Sequence, residues 1–161
     1  MKNTQLQTSS VNPKHERKIF AALRMARIGT GRPTADDMAW LQKTFASHLR
    51  DNGRIPLERR MGLPTTFEKW RLFSRDMYLC QAALCIEADG AWAGALKLET
   101  EWNRFITGSR WPTWRHDLQP PAEASELSKA LFYATQENRG EGLSTQQIYR
   151  IVQHIFNEKC S

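Results

Sequence analysis

Apolar residues in this chain recur at steps of three and four, and no run shows the strict alternation of a half-buried strand. After a polar, aperiodic opening, a first helix is expected from Lys14 to Ile28, with Ile19, Phe20, Leu23 and Ala26 on its apolar side and Lys14, Arg17, Arg24 and Arg27 on the other. "GTGRP" closes it, since glycine and proline so close together interrupt a helix. Thr34 with Asp37 three residues later has the spacing of a capping box. It opens a second helix, Ala35 to Asp51, expected to bury Met38, Leu41, Phe45 and Leu49 before "DNG" stops it.

A long helix from Thr66 to Glu87 carries two apolar stripes. Trp70, Phe73, Met77, Cys80 and Leu84 form one, and Leu72, Leu79, Ala83 and Ile86 the other, as a central buried helix would. A fourth helix, Ala91 to Ile106, turns Ala91, Ala95, Leu98, Trp102 and Phe105 inward. "TGSRWPTWRHDLQPP" reads as irregular, and two closing helices, Glu123 to Glu137 and Thr145 to Glu158, are joined by "NRGEGLS". The fold class is therefore all-α: a single compact bundle of five or six helices over residues 14–161, behind a disordered tail over residues 1–13.

Composition agrees with one domain. The chain has 161 residues, 40% of them hydrophobic and six of them Trp, enough for one core without disulfide or metal. The longest nearly apolar run, Met77 to Ile86, is half the length of a membrane span of about 20 residues, so no membrane partner is expected. Three cysteines cannot all pair within one molecule. Cys80 and Cys85 sit in the most apolar segment as small hydrophobes, which points to a reducing compartment, the cytoplasm. His15, His48, His116 and His154 are scattered singly, without the paired spacing of a metal site, and no cofactor motif is present.

Charge changes the picture more. Formal net charge is +6, and residues 1–75 hold 15 Lys and Arg against 6 Asp and Glu, while residues 76–161 hold 8 against 11. The basic part of the helical domain, 14–75, should attract polyanions, and the mildly acidic part, 76–161, should be free for self-association into a homodimer or for a partner.

Within the basic part, "RIPLERRMGLPTTFEKWRLFSRD" at 54–76 loosely resembles a helix-turn-helix over about twenty residues. Gly62 is followed by Leu63 and preceded by Leu57 and Met61, but the second half falls out of register: six and nine positions after the glycine stand Glu68 and Arg71. The resemblance implies that Thr65, Thr66, Lys69 and Arg71 lie near bases while Arg54, Arg59 and Arg60 hold phosphates, and binding through the basic half in general is expected to use phosphate contacts at Arg54, Arg59, Arg60, Lys69, Arg71 and Arg75. The bland alternative is a basic loop entering a core helix, with Glu68 pairing Arg71 and Arg75. "GLSTQQIYRIV" keeps register from Gly142 through Leu143, Ile148 and Ile151, with Ser144 capping and Thr145, Gln146, Gln147 and Arg150 outward. An amphipathic last helix explains it equally.

Thr30 to Pro33 resembles the core of a minor-groove AT-hook without its first Arg, and reads as a turn. "RWPTWRHDL" interleaves Arg110, Trp111, Trp114 and Arg115, the residue types that dominate interfaces, and reads either as a partner-binding patch or as a lid folded onto the bundle. His116 with Asp117, and His48 with Asp51, lack a nucleophile or phosphate loop beside them. The expectation is a non-enzymatic, nucleic-acid-binding regulatory or accessory protein, with DNA ahead of RNA. Its competitor is an adaptor or inhibitor that docks on an acidic protein through Arg110, Trp111, Trp114 and Arg115.

Overall fold

The computed structural model describes residues 13–159, and the side chains of residues 20–157. Among the described residues there are eight helices and no strand: α1 (Pro13–Gly29), α2 (Ala35–Arg50), α3 (Leu57–Met61), α4 (Phe67–Leu84), α5 (Ala91–Thr107), α6 (Arg110–Trp114), α7 (Glu126–Glu137) and α8 (Thr145–Lys159). The all-α class holds, and the six long helices fall where the periodicity places them. The count of five or six is corrected by two five-residue helices, α3 and α6. The tail expected over 1–13 lies outside the described residues except for Pro13, which begins α1.

The segment expected to be irregular contains α6, and its Pro112 falls at the third helical residue, where a helix tolerates proline. The first turn of a helix has no intrahelical use for its amides, so proline costs no hydrogen bond there. At α7 the cap is Ser125, whose hydroxyl accepts the Ser128 amide at 3.2 Å, so that helix starts at Glu126 and not at Glu123. Ser144 and Gln147 exchange bonds in the same manner at the start of α8.

The long helix α4 runs through the middle, with α1, α7 and α8 packed on it, and α5 lies along α8 with α6 against it. Their shared core joins Leu23 and Ala26 to Leu79, Cys80 and Ala83, then to Leu98, Trp102 and Phe105, Leu131 and Phe132, and Ile148, Val152 and Phe156. All five residues expected to face inward from α5 are buried. Gly94 lets α5 and α8 close, since a Cβ there would stand 2.4 Å from the Phe156 ring. Trp102 brings its indole N–H into the core and donates it to Thr135 Oγ1 at 2.8 Å, whose own hydroxyl donates to the Leu131 carbonyl at 2.6 Å. Both polar groups are thereby satisfied within the interior.

Helix α2 departs from its periodicity. Met38, Phe45 and Leu49 are exposed, and the residues it buries are Asp37 and Thr44. Those two precede Met38 and Phe45 by one position, so the helix is rotated by about 100° from the orientation its apolar stripe implies. The cause is ionic. Asp37 is fully buried and takes Arg27 Nε and Nη2 at 2.7 and 2.8 Å, with Arg24 Nε at 3.8 Å. Arg24 and Arg27, expected on a solvated side, instead clamp α2 to α1. Asp37 also completes the expected capping box, accepting the Thr34 amide at 2.9 Å while Thr34 Oγ1 accepts the Asp37 amide.

Other expectations change in degree. Phe20, Trp70 and Leu72 are partly exposed, and Cys85, expected among the buried hydrophobes, is exposed at the end of α4 while Cys80 is buried. The side chain of Ile19, and those of Lys14 and Arg17, lie outside the described residues.

Candidate nucleic-acid interface

Helix α3 starts after Pro56 and ends at Gly62, which adopts φ 73° and ψ 19°, a left-handed conformation that favours glycine. The Leu63 amide then donates to the Glu58 carbonyl at 2.7 Å, and the chain passes over buried Pro64 to Thr66, the N-cap of α4. The Thr66 side chain accepts no amide, so the first turn of α4 presents its N–H groups without a side-chain cap. Helix α3 packs on α2, while α4 belongs to the core. Only the first turns of α4 stand clear, with Phe67 80% exposed and Trp70 39% exposed, the latter edge-on to Phe73.

The basic residues divide into two groups. Arg54, Arg59 and Lys69 are exposed and their side chains have no hydrogen-bond or ion-pair partner among the described residues, and Thr65 and Thr66 are also exposed. Arg60 is held: it pairs with Asp51 and donates to Ser47 Oγ at 2.7 Å, while its Nε is buried without an acceptor.

Arg71 and Arg75 serve the joint between α4 and α7. Arg71 pairs with Glu68 at 3.2 Å and donates to the Glu137 carbonyl, and Arg75 pairs with Asp76 and donates to Asn138 Oδ1 at 3.2 Å. Cations at a helix C-terminus satisfy its orphan carbonyls and its dipole. Burial pushes the Glu137 carboxyl up, against the lowering effect of Arg71. Placing Arg71 near bases and Arg75 on a phosphate would require both to leave this joint.

The sequence does not bring forward Arg24, Trp40 and Phe20. They meet Arg59, Arg60, Met61 and Gly62 around a cavity of about 420 Å³ between α1, α2 and α3. The Arg24 guanidinium lies 5.0 Å over the Trp40 ring, a cation–π arrangement. Trp40 falls off the Met38–Phe45 stripe and three residues after Asp37. An aromatic on the side of the capping acid was the available signal for it.

The second candidate patch is folded back. Trp111 and Trp114 are half-buried and set their rings against Phe105 and Phe132 at centroid distances of 5.8 to 6.5 Å. Arg110 donates to Ser128 Oγ at 3.2 Å and Arg115 to His116 Nε2 at 3.1 Å. In α8, Ile148 and Ile151 are buried as an amphipathic last helix requires, Gln146, Gln147 and Arg150 face out, and Thr145, expected outward, bonds Glu99. Among the described residues no group of His, Cys, Asp and Glu is arranged to hold a metal, and no helix is long and apolar enough to cross a membrane.

Comparison with known proteins adds no relative: no family model, no curated protein and no solved structure matches the chain.

Proposed function

We propose that this chain is a non-enzymatic nucleic-acid-binding protein, with DNA ahead of RNA, that meets its ligand on the surface formed by α3, the turn after it and the first turns of α4. The observation that carries this reading is the coincidence of cations without internal partners and exposed rings in one short segment. Arg54, Arg59 and Lys69 are free to neutralise phosphates, and Phe67 and Trp70 are exposed on the same first turns of α4 as Lys69. Cationic tracks interleaved with aromatic rings suit a polyanion whose bases also offer flat faces. The uncapped start of α4 adds backbone donors and a favourable dipole for phosphate.

The roles follow from placement. Arg54, Arg59 and Lys69 contact phosphates, Arg60 supports them from its pair with Asp51, and Thr65 and Thr66 are the hydroxyls next to the ligand. Arg71 and Arg75 act as structural residues, through the α7 carbonyl and Asn138.

Fluorescence anisotropy against a mixed-sequence duplex, the equivalent single strand and an RNA hairpin, at several salt concentrations, tests the reading. With three or four phosphate contacts, log affinity should fall against log salt with a slope of roughly −2 to −4. Arg54→Glu, Arg59→Glu and Lys69→Glu should each weaken binding without loss of fold, because none of the three side chains has an internal partner. No binding at low salt, or binding indifferent to all three reversals, overturns it. The competing reading, docking on an acidic protein through Arg110, Trp111, Trp114 and Arg115, then becomes the one to test. Trp111→Ala and Trp114→Ala need a stability control there, since both rings pack on Phe105 and Phe132.

A further inference from the structure

The cavity between α1, α2 and α3 is a feature that phosphate contacts on α3 and α4 leave unexplained. We infer that it binds one unpaired nucleotide, the phosphate against Arg59 and Arg60 and the base against the wall of Phe20, Trp40 and Met61. This deepens the nucleic-acid reading and rests on it for the longer ligand, because it makes single strands or exposed ends the favoured form.

The lining sets three arginines beside two aromatic rings and a methionine. A cavity of about 420 Å³ is in the range of small-ligand sites, roughly 300 to 1,000 Å³. Its lining cations are Arg24, Arg59 and Arg60. Asp37 answers Arg24 and Arg27, Asp51 answers Arg60, and Glu58 is carried on the same short helix as Arg59. Of the three lining cations, Arg59 is the one with no carboxylate paired to its side chain among the described residues.

The Arg60 side chain is only partly open to a ligand. Its Nε is buried and has no acceptor, although its other nitrogens reach Asp51 and Ser47. That atom is closed to solvent, so a ligand in the cavity would meet the exposed remainder of the Arg60 side chain and not Nε. Arg59 on the same rim has no internal partner to give up. A phosphate accounts for these two residues, but not for Phe20, Trp40 and Met61.

A flat ring accounts for the rest. Trp40 and the Arg24 guanidinium over it are the groups on which unpaired bases stack. A paired base has its faces covered by its neighbours and cannot enter. A bare phosphate would leave the aromatic wall unused, and an acidic side chain would bring no ring to it.

The test is calorimetric titration of the full chain with deoxyadenosine 5′-monophosphate, thymidine 5′-monophosphate, inorganic phosphate and a short Glu-rich peptide. Saturable mononucleotide binding is expected, at least about tenfold tighter than inorganic phosphate or the peptide, and about tenfold weaker in Arg59→Gln. Trp40→Leu, checked for helix content by circular dichroism, should remove the advantage of mononucleotide over phosphate and the preference for a single strand over a duplex. Phosphate or the peptide binding as well as the mononucleotides overturns the inference, as does mononucleotide affinity unchanged in Arg59→Gln. No mononucleotide binding, with oligonucleotide affinity that falls in Lys69→Glu but not in Trp40→Leu, overturns the cavity site and leaves the wider reading standing. No oligonucleotide binding at all overturns the wider reading, and the mononucleotide titration then judges the cavity alone.

Discussion

Arg27 closes both ends of its guanidinium fork on the Asp37 carboxylate, Nε at 2.7 Å and Nη2 at 2.8 Å, and by this contact α2 is fastened to α1. Asp37 is fully buried and Arg27 nearly so. Asp37→Ala removes both bonds from Arg27 and the capping box of α2 together, so it should cost about 3 kcal/mol at neutral pH, the lower end of the range for breaking a buried pair because water still reaches part of Arg27. Burial pushes the Asp37 carboxyl up, but the Arg27 and Thr34 hydrogen bonds outweigh it and hold the group below its ordinary value. A carboxylate whose value is depressed by folding contributes stability above its unfolded value, and that contribution is lost as pH falls through the folded value. Urea melts should therefore show the gap between wild type and Asp37→Ala at full width near pH 7 and closing well below pH 4. A gap independent of pH would mean that the pair does not hold the helix.

The rotation of α2 gives two leucines opposite fates. Leu98 is fully buried between α5 and its neighbours, while Leu49, on the apolar stripe of α2, is 72% exposed. Leu98→Ala should cost about 2 to 5 kcal/mol through lost transfer and the cavity left behind. Leu49→Ala should stay within about 0.5 kcal/mol of wild type. Chemical denaturation of the two variants side by side checks both figures, and a large loss at Leu49 would show that the stripe is covered in solution.

The difference between α5 and α2 is also where reading the sequence stops. Helix α5 buries the residues its periodicity nominates, because no buried ion pair among the described residues competes with its apolar stripe. Helix α2 has an equally good stripe, but the tie from Asp37 to Arg27 spans ten residues and two helices, and no local pattern encodes it. The candidate interface divides the same way. Arg54, Arg59 and Lys69 were legible as a basic run. That Arg71 and Arg75 would be taken up by the end of α7 depends on Glu137 and Asn138, more than sixty residues on. The cavity has no sequence signature, since its lining comes together from α1, α2 and α3 and the turn at Gly62.

A buried hydroxyl carries the next prediction. Thr135 Oγ1 is the acceptor for the Trp102 indole N–H, with both side chains buried in the core. Thr135→Val keeps the shape and deletes the acceptor, so it should cost about 1 to 3 kcal/mol as the desolvation penalty of an unmet donor. Replacing both residues with apolar ones of similar size should cost less than the sum of the single changes. Equal stability of Thr135→Val and wild type in guanidinium melts would show that the bond contributes nothing.

Gly94 sets how closely α5 and α8 approach, and two effects oppose each other there. Alanine in mid-helix is favoured over glycine by about 1 kcal/mol, so on an exposed helix Gly94→Ala would stabilise. Here the new Cβ would stand 2.4 Å from Phe156 Cε2 and Cζ, and the Phe156 ring is fully buried, with no solvent to swing into. Overpacking of this kind typically costs about 1 to 3 kcal/mol, and the overlap with a fixed ring puts the site at the upper end. The balance is a net loss of about 1 to 2 kcal/mol, which for a chain of this size lowers Tm by roughly 2 to 8 °C. Phe156→Leu alone should also destabilise, by leaving a cavity, but it gives the new methyl room. The double variant should therefore be more stable than the sum of the two losses, by an amount that calorimetric melts of the four proteins resolve as a coupling energy. Strict additivity would mean that the helices slide apart to accept the methyl, and that Gly94 does not determine their separation.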